Sequence, residues 1–225
     1  MRTPLLETDR KVYDRQTQFF AEAYRSGNIG WPREGPSGLV DLLLEAANGS
    51  GFGTVLEIGS GEGRNLAPFL KRGWNVVALD LLVDPLRVAR GKISSERSGQ
   101  AFFVQGDLFR LPFRPKSFDV VFDFGVYHHL RRPERKKYPS WIGQLLKPGG
   151  LAGVGVFSEL FRHFPEESRR RSFVTHRGHH DVFFRERDLP ALLGGSFSLV
   201  STGSESPGAL DHYRLAVYRK IREWL

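Results

Sequence analysis

Short apolar runs alternate with amphipathic stretches along most of this chain. The runs near 54–58, 75–80, 101–105, 118–124 and 151–157 predict strands. Between them, near 63–72, 84–97 and 133–147, apolar positions return at three- and four-residue spacing and predict helices. Regular alternation of strand and helix implies a parallel sheet covered on both faces. Upstream, residues 9–26 predict a helix with Tyr13, Thr17, Phe20, Ala21 and Tyr24 on one face; a Gly- and Pro-rich connection and a second helix at 39–47 follow. Downstream, the pattern loosens after Phe157 into a His- and Arg-rich stretch. A short helix at 186–194 and strands near 196–202 and 212–219 come last.

The most telling break in the pattern is at residues 55–63. Val55-Leu56-Glu57-Ile58 gives way to Gly59-Ser60-Gly61-Glu62-Gly63 and then to a helical pattern. A strand, a tight turn and a helix N-terminus let a ligand lie against bare backbone. The next apolar run, Asn75 to Leu79, ends in Asp80, a carboxylate at a neighbouring strand tip where a ribose can chelate. A nucleoside-containing cofactor is therefore implied. A dinucleotide fingerprint wants its last glycine at position 64, which holds Arg64. S-adenosylmethionine would bring a carboxylate to the same amides in place of a pyrophosphate. The turn alone leaves both open.

Three later blocks narrow the choice. Ala101 to Gln105 ends in Gly106-Asp107-Leu108, and Ser117 to Phe124 runs into the aromatic, His-bearing Gly125-Val126-Tyr127-His128-His129-Leu130. Leu145-Leu146-Lys147-Pro148-Gly149-Gly150 closes a helix before the fifth strand. With these blocks in this order, the sequence resembles the Rossmann-like (class I) S-adenosylmethionine-dependent methyltransferases over residues 52–157, and more weakly from Phe183 onward. The resemblance implies a doubly wound, three-layer α/β fold with a mostly parallel seven-stranded sheet and an antiparallel last strand. It implies S-adenosylmethionine as methyl donor and a small or mid-sized acceptor methylated at O, N or S. Residues 1–50, with Tyr24, Trp31 and Pro32, resemble the helical lid of small-molecule members such as thiol, thiopurine and tellurite methyltransferases, packed on a core domain of residues 51–225.

Candidate roles follow residue by residue. Gly59, Ser60, Gly61 and Gly63 admit the cofactor to the backbone, and the resemblance gives Glu57 the task of orienting the turn and the amino-acid end of the cofactor. Asp80 takes the ribose hydroxyls, since a charge ending an apolar strand is costly unless used or solvated. Leu81 packs on the adenine face, and Asp107 with Leu108 meets its edge; a helix or turn cap is the alternative role for Asp107. Phe124 and Gly125 sit where the methyl group is presented. His128 and His129 are the candidates for acid–base work, weighed against a role in organising the loop. Arg177 or Arg185 could meet a substrate anion.

Composition bounds the rest. At 225 residues the chain suits one α/β domain. It has no Cys, which leaves no disulfide or thiolate chemistry and permits a reducing compartment. No signal peptide or bilayer-length apolar run is evident, so a soluble cytoplasmic protein is expected. The adjacent His179 and His180 lack ligands at helical spacing, and no metal site is expected. A net charge of +8 would suit RNA as a rival acceptor, yet only eight of the 33 basic residues are Lys, and an Arg-rich composition has other origins. The Asn/Asp-Pro-Pro-Tyr or Phe block of many base N-methyltransferases is missing after the fourth strand. A small-molecule acceptor is favoured over nucleic acid, and a non-catalytic S-adenosylmethionine-binding protein is the rival from another class.

Overall fold

A computed structural model of the protein describes residues 7–31, 34–48, 53–93, 99–110, 113–167, 173–176 and 179–221. Two helices, α1 (Glu7–Ser26) and α2 (Gly38–Ala46), precede β1 (Thr54–Ile58), α3 (Ala67–Lys71), β2 (Asn75–Asp80), α4 (Val83–Ile93) and β3 (Ala101–Gln105). Then come β4 (Phe118–Phe124), α5 (Arg132–Leu145), β5 (Leu146–Phe157), β6 (Phe173–His176), β7 (His179–Val182), β8 (Phe197–Glu205) and β9 (Tyr213–Lys220).

Seven strands form one sheet in the order β3-β2-β1-β4-β5-β9-β8. Strands β3 to β5 are parallel, and β9 runs antiparallel to both β5 and β8. This is the doubly wound, mostly parallel sheet with an antiparallel last strand. The alternation of strand side chains separates two cores. Val55, Val120, Phe122 and Val217 face α2 and α3. Leu56, Val121, Ala152 and Tyr218 face α5 and the segment around Leu189. Strand order reverses between β1 and β4, which opens a crevice at their carboxyl ends.

Three departures from the sequence reading matter for the site. The first helix of the core begins at Ala67, not at Gly63. Gly59, Gly61 and Gly63 all have positive φ, at 67°, 52° and 76°, so the backbone cannot turn helical until it has passed them. The cofactor turn is therefore a longer loop than a strand–turn–helix unit. Second, β5 starts at Leu146, which pairs with Phe118, so Lys147 to Gly150 fall inside the strand and do not end a helix. Third, the His-rich stretch contains an antiparallel hairpin, β6–β7, with His176 opposite His179. Its strands lack apolar alternation, so periodicity does not reveal them. The expected helix at 186–194 is a 3-10 segment over Glu186–Ala191.

Helix α1 packs against β7, whereas α2 packs on β5, β8 and β9 within the core. Pro32 and Arg177 lie outside the described residues.

Candidate functional site

A cavity of about 940 Å³ opens at the carboxyl ends of β1, β2 and β4. That volume is near the upper end of the range for small-molecule sites and gives room for a nucleoside cofactor and a second molecule beside it. One half is made of backbone turns and acids, the other of aromatic and imidazole rings.

The glycine loop lines the first half through Gly59, Ser60 and Gly61. A Cβ on Gly59 would stand 2.2 Å from Val126 Cγ2, so the close approach of the β4 loop demands glycine there. Gly63 is absent from the cavity wall. A Cβ there would meet Ala89 Cβ at 2.9 Å, so this glycine lets α4 pack on the loop instead of admitting a ligand. Glu57 is buried at the floor, where Oε1 accepts a 2.7 Å hydrogen bond from Asn65 Nδ2 and Oε2 has no hydrogen-bond partner among the described residues. Burial lifts its pKa to about 8, against the Asn65 bond and the Arg64 charge. Asn65 Oδ1 in turn accepts from the amide of Ser37, the cap of α2.

Asp80 is held by the loop it serves. Oδ2 accepts from the Gly61 amide and Oδ1 from the Leu82 amide, each at 2.9 Å. Burial raises its pKa while these amides oppose the shift. The Leu81 amide also turns to this carboxylate, whose two oxygens offer about four acceptor sites in all. Leu81, Gly106 and Leu108 line the same half. Asp107 does not line the cavity: Oδ1 accepts from the Phe109 amide at 2.9 Å and Oδ2 lies 3.3 Å from Arg110 Nε. Its carboxylate caps a turn, as an Asp at a strand-to-turn junction often does.

The loop after β4 is pinned from beneath. Asp123 is fully buried and accepts from the amides of Val126 at 2.9 Å and Tyr127 at 3.0 Å and from the Tyr138 hydroxyl. Burial, opposed by these donors, leaves its pKa at about 6. Phe124 and Gly125 face the cavity, with the Arg64 guanidinium 4.6 Å over the Phe124 ring. His128 is buried, stacks on Phe157 at 3.6 Å, and accepts the Phe157 amide on Nδ1 at 3.2 Å. It bolts the loop to the end of β5.

The second half is closed by α1, whose Phe20 meets His129 edge-on at 5.1 Å and Trp31 at 5.6 Å. Tyr24 lies over the glycine loop, its hydroxyl 2.9 Å from where a Cβ of Gly61 would be. His129 Nδ1 sits 2.7 Å from Oδ1 of Asp181, which is wholly buried, and Asp181 Oδ2 bonds His163 Nε2 at 2.7 Å. His163 Nδ1 continues to Glu167 at 2.9 Å. Burial alone would lower the His163 pKa, but the two carboxylates on its ring outweigh burial and raise it.

The family profile described as a methyltransferase domain matches residues 55–150. The chain is 32% identical over 154 residues to a sterol 24-C-methyltransferase of Gibberella zeae, an overlap of 65% of this chain and 40% of that protein. It is 32% identical over 118 residues to a demethylmenaquinone methyltransferase of Renibacterium salmoninarum, covering 52% and 46%. The chain thus spans less than half the length of these curated relatives. Among solved structures, the 1,6-didemethyltoxoflavin-N1-methyltransferase of Burkholderia thailandensis, with 1,6-didemethyltoxoflavin and S-adenosylhomocysteine bound, superposes with a TM-score of 0.79. That match has 24% identity and covers 99% of this chain and 94% of that one. Residues 55–150 thus resemble a methyltransferase domain, and the whole chain shares the fold of that solved structure.

The residues of this cavity fit S-adenosylmethionine. The glycine loop leaves bare backbone, Asp80 offers two pre-positioned oxygens, and Glu57 Oε2 is a buried oxygen with no donor among the described residues. An ammonium group brought to Glu57 would satisfy it. Five contributing residues are hard to see in the sequence. Asn65 and the aromatic wall at Phe157 and Phe161 gave no signal beyond ordinary core patterning. Asp181 and His163 gave a faint one, a carboxylate and an imidazole in a stretch otherwise read as a loop.

Proposed function

We propose that this protein transfers the methyl group of S-adenosylmethionine to an O, N or S atom of a small acceptor that enters the aromatic half of the cavity. The observation that carries the reading is Asp80, fixed by the Gly61 and Leu82 amides at the mouth of a cavity with a second, ring-lined half. In this reading Gly59, Ser60 and Gly61 take the amino-acid end of the donor with Glu57. Asp80 takes the ribose, Leu81 and Leu108 flank the adenine, and Phe124 and Gly125 border the reacting methyl. Gly63 and Asp107 shape these turns from outside the wall. Helix α1 serves as the lid over both ligands.

The sulfonium supplies an activated methyl group, so the protein's main task is to align acceptor and donor and to exclude water. A ring-lined recess under α1 suits a compact molecule better than RNA, whose binding through the basic surface would weaken steeply with salt. The reading puts the enzyme in the cytoplasm; no helix among the described residues is long and apolar enough to cross a membrane. Calorimetry with S-adenosylhomocysteine, followed by radiolabelled methyl transfer into a small-molecule extract, tests the proposal. Binding with transfer is expected, and absence of binding would refute it.

A further inference from the structure

Two histidines face the acceptor half of the cavity side by side, and the structure gives them different work. His128 uses its Nδ1 lone pair on the Phe157 amide, which fixes the ring as the Nε2–H tautomer. A ring in that state can donate a hydrogen bond but has no lone pair left for a proton. His129 is turned the other way, with Nδ1 against Asp181 and its ring edge-on to Phe20 of the lid. A proton on Nδ1 faces the carboxylate, which makes Nε2 the basic nitrogen. The Nδ1–Asp181 contact is short without being aligned as a hydrogen bond, the loose geometry common in enzymes without their substrate.

We infer that His129 is the general base for an acceptor that carries its proton on the attacking atom, and that Asp181, anchored by His163 and Glu167, is its positioning residue. The inference rests on the methyl-transfer reading and names the class of acceptor: a planar aromatic or heteroaromatic hydroxyl or ring N–H compound. Planarity follows from the walls, where Phe20 and Trp31 stand on the lid side and the stacked pair Phe157 and Phe161, 3.7 Å apart, on the sheet side.

The step balances. The acceptor's O–H or N–H bond breaks and its proton goes to His129 Nε2. The freed electron pair forms the bond to the methyl carbon as the carbon–sulfur bond breaks, its pair staying on sulfur. The proton then leaves His129 for solvent. Charges around the ring favour this transfer. Asp181 lies beside His129 on β7, His163 and Glu167 lie beyond it, Asp123 lies beneath the loop, and His180 flanks it. Asp181 and Glu167 flank a single imidazole, His163, so this chain of groups is net negative whichever state that ring holds, which favours a proton arriving on His129. The arrangement also ties the base to the lid, since the Gln16 side chain donates to the His129 carbonyl at 3.3 Å across 113 residues.

The test uses the full chain, S-adenosylmethionine as methyl donor with a graded set of hydroxyquinolines and hydroxynaphthalenes as probe acceptors, and S-adenosylhomocysteine as the binding probe. Wild type is expected to methylate members of the set at rates nearly independent of acceptor acidity. His129→Gln is expected to lose about 10²-fold or more on the un-ionised members and little on the already ionised ones. Asp181→Asn removes the neighbouring negative charge, so the acidic limb of its kcat/KM profile should move to lower pH; S-adenosylhomocysteine affinity should stay unchanged in both variants. A readout free of activity, and of any folding defect in the variants, is ring ¹⁵N NMR of wild type with S-adenosylhomocysteine bound, where His129 is expected as the Nδ1–H tautomer. An Nε2–H tautomer, unchanged pH profiles in both variants, or no transfer to any probe by a protein that binds S-adenosylhomocysteine would overturn the inference. Failure of wild type to bind S-adenosylhomocysteine would instead sink the methyl-transfer reading beneath it.

Discussion

The two halves of the cavity are built by different physics. The donor half is local: the glycine loop, Asp80 and the β4 loop each follow directly from the end of a strand, and their key contacts are backbone amides given to carboxylates. The acceptor half is assembled at long range, from α1, the β4 loop, the segment after β5 and β7, and its key contacts each involve a side chain. A site of the first kind is rigid, because displacing it would break strand geometry. A site of the second kind can change its specificity by changing a few rings.

The sharpest way to break this contrast is at Gly59. Its positive φ, and Val126 standing 2.2 Å from the place a Cβ would take, oppose any side chain there. Gly59→Ala is expected to cost roughly 2–5 kcal/mol of stability in urea unfolding and to abolish S-adenosylhomocysteine binding. Full stability in that variant would mean that the donor half is not held by its backbone. Next in size is Asp80→Ala, which removes charged acceptors from two hydroxyls and should weaken S-adenosylhomocysteine about 10²-fold by calorimetry.

Glu57 sharpens the contrast through pH. Its folded-state pKa of about 8 lies above the ordinary 4.5, so the folded protein binds the extra proton between those values. Its contribution to stability is therefore most favourable below pH 4.5 and is lost as pH rises towards 8. If the ligand's ammonium group meets the ionised carboxylate, S-adenosylhomocysteine affinity should fall about tenfold per pH unit below 8, with a proton released on binding. Glu57→Gln should flatten both dependences, and a slope that survives in that variant would assign the proton elsewhere. The smallest expected effect is on the other side: Phe20→Ala should leave S-adenosylhomocysteine affinity within about twofold while altering acceptor choice. A tenfold loss of donor affinity there would show that the halves are not separable.

The same contrast explains what the sequence made legible. The parallel strands and the turn that lines the cavity could be read because each rests on neighbours in the chain: an apolar run, three glycines, one acid. Gly63 and Asp107 belong to the same motifs, yet packing on α4 and a local turn claim them. Only three-dimensional packing decides between a glycine that admits a ligand and one that admits a helix. His129 was visible as a candidate, but its distinction from His128 depends on the Phe157 amide and on Asp181. His163 and Asp181 meet across 18 residues and a hairpin with no apolar alternation. Nothing in periodicity brings such residues together.

The central claim is that one chamber holds the donor's adenosine against the strand tips and turns its sulfur towards His129. A crystal structure with S-adenosylhomocysteine tests it directly. The account predicts both ribose hydroxyls on the Asp80 carboxylate and the sulfur at the Phe124–Gly125 edge, facing the ring-lined half; a ligand seated among the rings of α1, with Asp80 untouched, would contradict it.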